Sequence, residues 1–544
     1  MAVMTGGQAL VQQLKREGVK VIFGLPGVQL DGAFDALYEE RGSIRVIHAR
    51  HEQATSYMAD GYARSSGQVG ACLVVPGPGL LNAAAGLSTA YACSSPVLCI
   101  AGQINADLIG VGRGALHEIN DQLEMIGSVT KWAGRAMRPE EVPGIVNRAF
   151  QELRRGRPRP VEIEIPQDVL LTQAEVQLLS PAATEQMPGD PDLLEQAAKA
   201  LGNAQRPLIF AGGGVLSSGA WDELRRLAEL LEAPVIMTSN AGGALSDQHY
   251  LAQVGVAASV LTPDSDVILA VGTRFLQPAT APWKVQPAQT VIRLDVDPVE
   301  MGRNHTPDIA IQADAKLGLT ELARRVERHN RKRDSRQEEL TSLKLEIRAV
   351  LERDENRAPW VMAVRSELPE EGILVGEMTQ MGYWSNAGGF PVYRPRTYFT
   401  PGYQGTLGFG FPTALGVKVA HPDKQVVSIN GDGGFMYNVQ ELATAALHKI
   451  NVVAIVFNDS AFGNVKRIQA TQFGERYIAS NLLNPDFVKL AESFGIAGMR
   501  AKNPAELRAC LREALALNAP ALIEAPVGAM PAVTVNTGNW TWQR

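Results

Sequence analysis

Gly431, Asp432, Gly433 and Gly434 make one polar cluster of the sequence, and Asn458 and Asp459 make a second after the next hydrophobic run. Glycines let a backbone turn tightly and approach an anion, and a neighbouring carboxylate is a hard oxygen ligand. The combination suits Mg²⁺ bridging a diphosphate, an ion that takes one or two carboxylates and leaves its other positions to phosphate, carbonyl and water oxygens. An isolated Gly-Asp-Gly is more often a turn whose Asp caps a helix. The second cluster strengthens the signal. A third candidate, Glu52, follows an apolar run and opens a helix of small residues, surroundings that bury it. A buried, protonatable carboxyl can donate a hydrogen bond to a ring nitrogen.

The intervening elements must bring these residues together. Residues 426–429 and 452–457 read as buried strands and 439–447 as an apolar-periodic helix, so a strand-helix-strand crossover sets both polar clusters at one edge of a parallel sheet. From Val19 the same alternation runs through strands ending at 24–27, 51–52 and 76–79. Strand, Gly or Pro turn and helix in repetition predict doubly wound parallel sheets whose ligands lie beyond the strands' carboxyl ends.

With 544 residues, 45% hydrophobic and 20% charged, the chain is too long for one ordinary domain. The expected class is α/β with three doubly wound domains: 1–180, 190–330 and 358–544, with 331–357 a charged, solvated helical linker. A Pro-rich stretch at 180–192 separates the first two. The balance of 51 basic and 57 acidic residues points to a small-molecule partner rather than nucleic acid or an anionic membrane. Cys72, Cys93, Cys99 and Cys510 have no metal-ligand spacing and read as reduced thiols of a cytoplasmic protein. Residues 1–20 read as an amphipathic helix, and no apolar run reaches membrane-spanning length.

Gly-Asp-Gly followed one helix and one strand later by an Asn-Asp pair resembles the signature of the thiamine diphosphate enzymes, in which Asn-Asn is usual. Arg50-His51-Glu52-Gln53-Ala54, the Asp60–Arg64 run DGYAR, GRPRPVEIEIPQDV and PGYQGTLGFGFP are similar to further motifs of the acetolactate synthase and benzaldehyde lyase branch, so the resemblance covers nearly the whole chain. It implies thiamine diphosphate and Mg²⁺ as cofactors. The metal ligands would be Asp432, Asp459 and the carbonyl of Ala461, with Asn458 as the alternative to Asp459. Glu52 would contact the aminopyrimidine ring and promote the tautomer that deprotonates the thiazolium. The cofactor would also meet Gly27, Pro78, Asn82, Thr379, Gln380, Gly431, Gly433, Gly434, Phe462 and Gly463. The Gly405 carbonyl would accept from its amino group, and Leu407 would force its bent shape.

Around the substrate, the resemblance makes Gln29, His117, Glu118 and Asn464 catalytic candidates. His117 and Glu118 replace the Phe-Gln pair of acetolactate synthases, while Asn464 and Ile468 replace a Met and a Trp. Lys466 or Arg113 is a candidate partner for a substrate carboxylate. The implied reaction is decarboxylation of a 2-oxoacid and carboligation through an enamine. Its alternatives are acyloin (2-hydroxyketone) cleavage, decarboxylation or cleavage of an oxalyl- or 2-hydroxyacyl-coenzyme A, and a non-catalytic cofactor-binding homologue. Oxoacids, aldehydes and hydroxyketones are the implied substrates. The middle domain holds FAD, ADP or nothing in this family, and a structural role is the expectation here. A homodimer is the implied minimum, paired into a tetramer, with the tail's two tryptophans closing the site or an interface.

Overall fold

The computed structural model describes residues 1–276 and 283–532, and the two tail tryptophans lie outside them. The described residues form three parallel six-stranded sheets interleaved with helices. The first runs, neighbour to neighbour, Arg45–His48, Val21–Gly24, Gly70–Val74, Val97–Gln103, Val161–Pro166 and Trp132–Arg135. The third runs Tyr398–Phe399, Ile373–Gly376, Val426–Gly431, Val452–Asn458, Ala521–Pro526 and Ala497–Arg500. Ranked by chain position, both read 2-1-3-4-6-5. The middle sheet, Ala252–Gln253, Val235–Met237, Pro207–Ala211, Val267–Val271, Thr290–Asp295 and Ile309–Gln312, reads 3-2-1-4-5-6.

Strand order dictates where a ligand fits. In open α/β sheets the crevice opens at the carboxyl ends of the strands, where the winding reverses. In the first sheet that point lies between Val21–Gly24 and Gly70–Val74, which lead to Gly27 and to the turn 76–79. In the third it lies between Ile373–Gly376 and Val426–Gly431, which lead to Thr379 and Asp432.

The first and third domains are pressed together through two glycines. A Cβ at Gly61, on the helix Glu52–Ser66, would collide with the Thr413 carbonyl, and one at Gly416 would collide with the Met58 carbonyl. The helices Glu52–Ser66 and Gly410–Ala420 therefore cross backbone to backbone. The apolar side chains beneath them form one core: Tyr57, Met58, Phe409, Phe411, Leu415 and Phe435 are all buried.

Two sequence expectations change. Residues 1–20 are not all helix: Ala2–Thr5 is a strand paired antiparallel with Gln173–Val176, and the helix Gly6–Arg16 starts only where Thr5 and Gln8 form a reciprocal capping box. The linker is not simply solvated either. Its helix Gln337–Glu352 buries Leu340, Leu343, Ile347 and Leu351 at helical spacing, and the Trp384 indole N–H donates to the Leu351 carbonyl at 3.3 Å. None of the described helices is long and apolar enough to cross a membrane.

Candidate active site

The third domain assembles its carboxylates as the crossover requires. Gly431 pairs with Phe457 across parallel strands, which levels Asp432 with Asn458. The Asp459 carboxyl meets that of Asp432 in a hydrogen bond. Burial raises both above the usual carboxylate range, and Asp432 adds to the rise at Asp459, which reaches about 6. Two neighbouring acids in a Gly-lined turn are a donor set a divalent cation would bridge. Among the described residues no group of three or more His, Cys, Asp or Glu is placed to hold a metal ion, so any further ligands there would be carbonyl, amide or phosphate oxygens.

Neighbouring side chains fix this pair. The Asn484 amide donates to Asp432 Oδ2 at 2.6 Å and to Asn458 Oδ1 at 2.9 Å. Asn458 in turn donates to Glu524 Oε1 at 2.8 Å, so its side chain faces Asn484 and Glu524. The Asp459 carboxylate lies over Gly463, where a Cβ would strike it, and accepts from the Ala461 N–H at 3.2 Å. The Phe462 ring covers Gly433, where a Cβ would stand 2.6 Å from it. Ala461 pairs with Asn481, and the Phe462 N–H donates to the Ser480 carbonyl at 2.9 Å.

Gly405 and Gly408 take positive φ values of 58° and 78°, which shapes the turn that presents the half-buried Leu407. That turn is anchored twice: the Gly408 N–H donates to Glu377, and the Asn438 amide donates to the Gly408 carbonyl at 2.7 Å. Glu377 is wholly buried. Burial pushes its carboxyl up to about 8 against the pull of the Gly408 N–H, and its Oε2 has no hydrogen-bond partner, as is true of Asn430 Oδ1 beside it. Thr379 lies against Gly431, whereas the Gln380 amide oxygen accepts from the Arg357 guanidinium at 2.8 Å.

The first domain supplies a carboxylate of its own. Glu52 is the first residue of its helix, 9% exposed, and its Oε2 accepts from the Asn82 amide at 3.0 Å. Asn82 lies in the first turns of Pro78–Cys93, the helix that Pro78 opens. A Cβ on Gly79 would stand 3.6 Å from Glu52 Oε1, and Gly27 abuts Val75 with no room for a Cβ. Gln29 and His117 meet on the same rim, their side chains 3.1 Å apart, and the Gln29 amide donates to the Leu116 carbonyl at 3.0 Å. His117 has φ +69°, and its carbonyl packs on Gly77, φ +55°.

Other candidates are engaged elsewhere. Glu118 accepts from the N–H groups of Ala115 and Gly112 at 2.8 and 3.1 Å, which, Ala115 first, hold its carboxyl below the usual range while it ties its own loop. Asn464 accepts from the Arg467 guanidinium at 2.6 Å, Lys466 lies 5.8 Å from the Tyr477 ring centre, and Arg113 is exposed. Asn484, Glu377 and Gln122 escaped the sequence reading. Gln122 accepts from the Gly77 N–H at 2.9 Å and donates to buried Glu164 at 2.6 Å, which braces the turn beside Glu52. An acid directly after the strand Ile373–Gly376 was a readable sign for Glu377; Asn484 sits in a non-periodic segment that offered none.

The middle domain carries a cavity of about 770 Å³ at the carboxyl end of its sheet, lined by Gly212, Gly214, Arg274, Phe275, Asp295 and Asp314 among others.

Comparison with known proteins agrees with this layout. Residues 4–125 match the thiamine pyrophosphate enzyme N-terminal TPP binding domain, 194–322 the central domain and 377–525 the C-terminal TPP binding domain. A probable acetolactate synthase large subunit of Methanocaldococcus jannaschii is 38% identical, over 97% of this chain and 93% of its own. The acetolactate synthase large subunit of Haemophilus influenzae is 34% identical, over 95% and 93%. A probable 2-ketoarginine decarboxylase of Pseudomonas aeruginosa is 33% identical, over 96% and 94%. With the strand orders and site geometry above, these matches place the chain in the thiamine pyrophosphate enzyme family, as an acetolactate synthase-like, thiamine diphosphate-dependent carboligase or decarboxylase.

Proposed function

We propose that the enzyme decarboxylates a 2-oxoacid and delivers the remaining acyl unit to a proton or to a second carbonyl compound. The observation that carries this reading is the pairing of a Glu52–Asn82 rim in one domain with an Asp432–Asp459 turn in a second domain of the same strand order. Asp432, Asp459 and the Ala461 carbonyl would hold Mg²⁺, and Gly431–Gly434 with Thr379 would receive the diphosphate whose charge that ion would offset. Thiamine diphosphate bound there supplies a carbanion that adds to a carbonyl and an electron sink for the pair left by C–C cleavage. Glu52 holds a proton at the ring nitrogen of the aminopyrimidine, and Asn82 fixes the oxygen it does not use. The Gly405 carbonyl accepts from the ring amino group, and Leu407 fills the space beneath.

On the substrate side, Gln29 and His117 form a hydrogen-bonding pair on the rim of the first domain that would face the substrate. The helix Gly463–Gln472 carries Lys466 and Arg467 and no acid, which suits an oxoacid carboxylate. Apolar side chains stand exposed around each half: Val28, Leu81 and Leu116 near Glu52, and Val465, Phe473, Tyr477, Ile478 and Leu483 after Asp459. Such rims favour a homodimer in which each half meets its complement on a second copy. A tetramer of two such dimers in the cytoplasm completes the reading. The middle cavity favours a bound FAD or ADP over a purely structural role, and absorbance of the purified protein tests the flavin.

The deciding experiment offers apoprotein pyruvate, 2-ketoarginine, benzoin and acetoin, with and without thiamine diphosphate and Mg²⁺. Cofactor-dependent CO₂ release from an oxoacid is the expected result. Aldehyde from an acyloin without CO₂ would make the enzyme a lyase and overturn the proposal.

A further inference from the structure

Glu441 opens the helix Glu441–His448 in the third domain, yet its carboxylate is spent on the first. Its Oε1 and Oε2 both accept from the backbone N–H of Arg50, at 3.1 and 3.2 Å; the His51 N–H also reaches it, and the Thr444 hydroxyl donates to Oε2 at 2.6 Å. The residue is 0% exposed. Arg50 and His51 are the two residues before Glu52, in the turn between the strand Arg45–His48 and the Glu52–Ser66 helix. Peptide N–H groups need an acceptor where water is displaced, and this turn takes one from another domain. Burying a carboxylate is costly unless donors surround it, so a surface capping residue would have been the cheaper solution for the helix alone.

We propose that Glu441 is a positioning residue for Glu52: by holding the Arg50 and His51 peptides it sets the approach of the Glu52 carboxylate to the cofactor ring. The same residue ties that approach to the cofactor turn of its own domain. The Glu441 N–H donates to the Asn438 carbonyl at 3.0 Å, and Asn438 donates to Gly408, the residue after Leu407. Asn82 fixes the Glu52 carboxylate from one side while Glu441 fixes its backbone from the other. The inference rests on reading Glu52 as the group that handles the proton of the aminopyrimidine.

The test combines two readouts at pH 8 to 8.5, above the value of about 7 to which burial pushes the Glu441 carboxyl, on Glu441→Gln, which keeps the volume and loses the charge. In the apoprotein, hydrogen exchange at the Arg50 and His51 amides is expected to accelerate by about tenfold or more, the scale of losing a hydrogen bond to a charged acceptor. In the holoenzyme, deuterium exchange at C2 of bound thiamine diphosphate is expected to slow about tenfold while cofactor affinity changes by less than about threefold. Thr444→Val, which leaves the carboxylate but removes one donor, should move both readouts in the same direction by about threefold. Unchanged amides or unchanged C2 exchange in both variants overturns the proposal. Glu52→Gln separates the two claims. Wild-type C2 exchange in that variant overturns the reading of Glu52 and the proposal with it, whereas slow exchange there and wild-type exchange in Glu441→Gln overturns the positioning role alone.

Discussion

The first and third domains share one strand order, 2-1-3-4-6-5, and differ in the residues placed just beyond each strand. At the switch point the first domain offers a turn without charge, 76–79, beside one carboxylate with an amide partner, Glu52 and Asn82. The third offers two neighbouring carboxylates, Asp432 and Asp459, in a turn whose glycines let Phe462, Thr379 and Glu377 pack directly on the backbone. A single carboxyl steadied by an amide is suited to a neutral heterocycle, and a pair of carboxylates to a cation and its phosphates. The frame sets where a ligand lies; a few residues beyond each strand set which part of the ligand it takes.

If that division holds, changes in the two domains fail in different ways. Glu52→Gln should lower turnover by about 10² to 10⁴-fold, the range of lost general acid-base catalysis, and leave thiamine diphosphate bound; steady-state rates with cofactor titration measure both. Asn484→Ala, behind the acidic pair, should instead weaken Mg²⁺-dependent cofactor binding by about tenfold to a hundredfold with little loss of turnover at saturation. A stability measurement sharpens the contrast. Glu377 has a folded pKa of about 8 against an ordinary 4.5, so the folded state holds the extra proton between those values. Its contribution is complete below about 4.5 and is lost as pH rises through 8, on the order of 5 kcal/mol, and Glu377→Gln should flatten that slope in urea melts taken from pH 5 to 9. Least affected should be Glu118→Gln: its carboxylate ties only the 112–115 loop, so KM should shift by about twofold and the cofactor affinity not at all.

Much of this was legible because it is local. Apolar runs bounded by Gly and Pro gave the strands, and a parallel crossover forces the end of Val426–Gly431 beside the end of Val452–Asn458, so the meeting of Asp432 and Asp459 follows from sequence order alone. Glu52 was readable from its place between a strand and a small-residue helix. The residues that hold these groups were not readable, since their partners are distant in sequence. Asn484 reaches Asp432 across 52 positions and Glu441 reaches Arg50 across 391, and no periodicity marks either. The linker helix misled for a related reason: its charged residues dominate the composition, while Leu340, Leu343, Ile347 and Leu351 form a narrow stripe that only a packing partner reveals. Glu118 is a candidate by position alone; that two N–H groups of its own loop hold its carboxylate depends on the loop's closure, which no periodicity marks.

The most direct measurement is of co-expressed Glu52→Gln and Asp432→Asn chains, each inactive alone. If the two like-folded domains contribute complementary halves of one site between copies, half the dimers are mixed and each has one intact site, so activity should recover to about a quarter of wild type. A co-expressed mixture as inactive as its parents, with mixed dimers demonstrated by differential tags, would contradict the account.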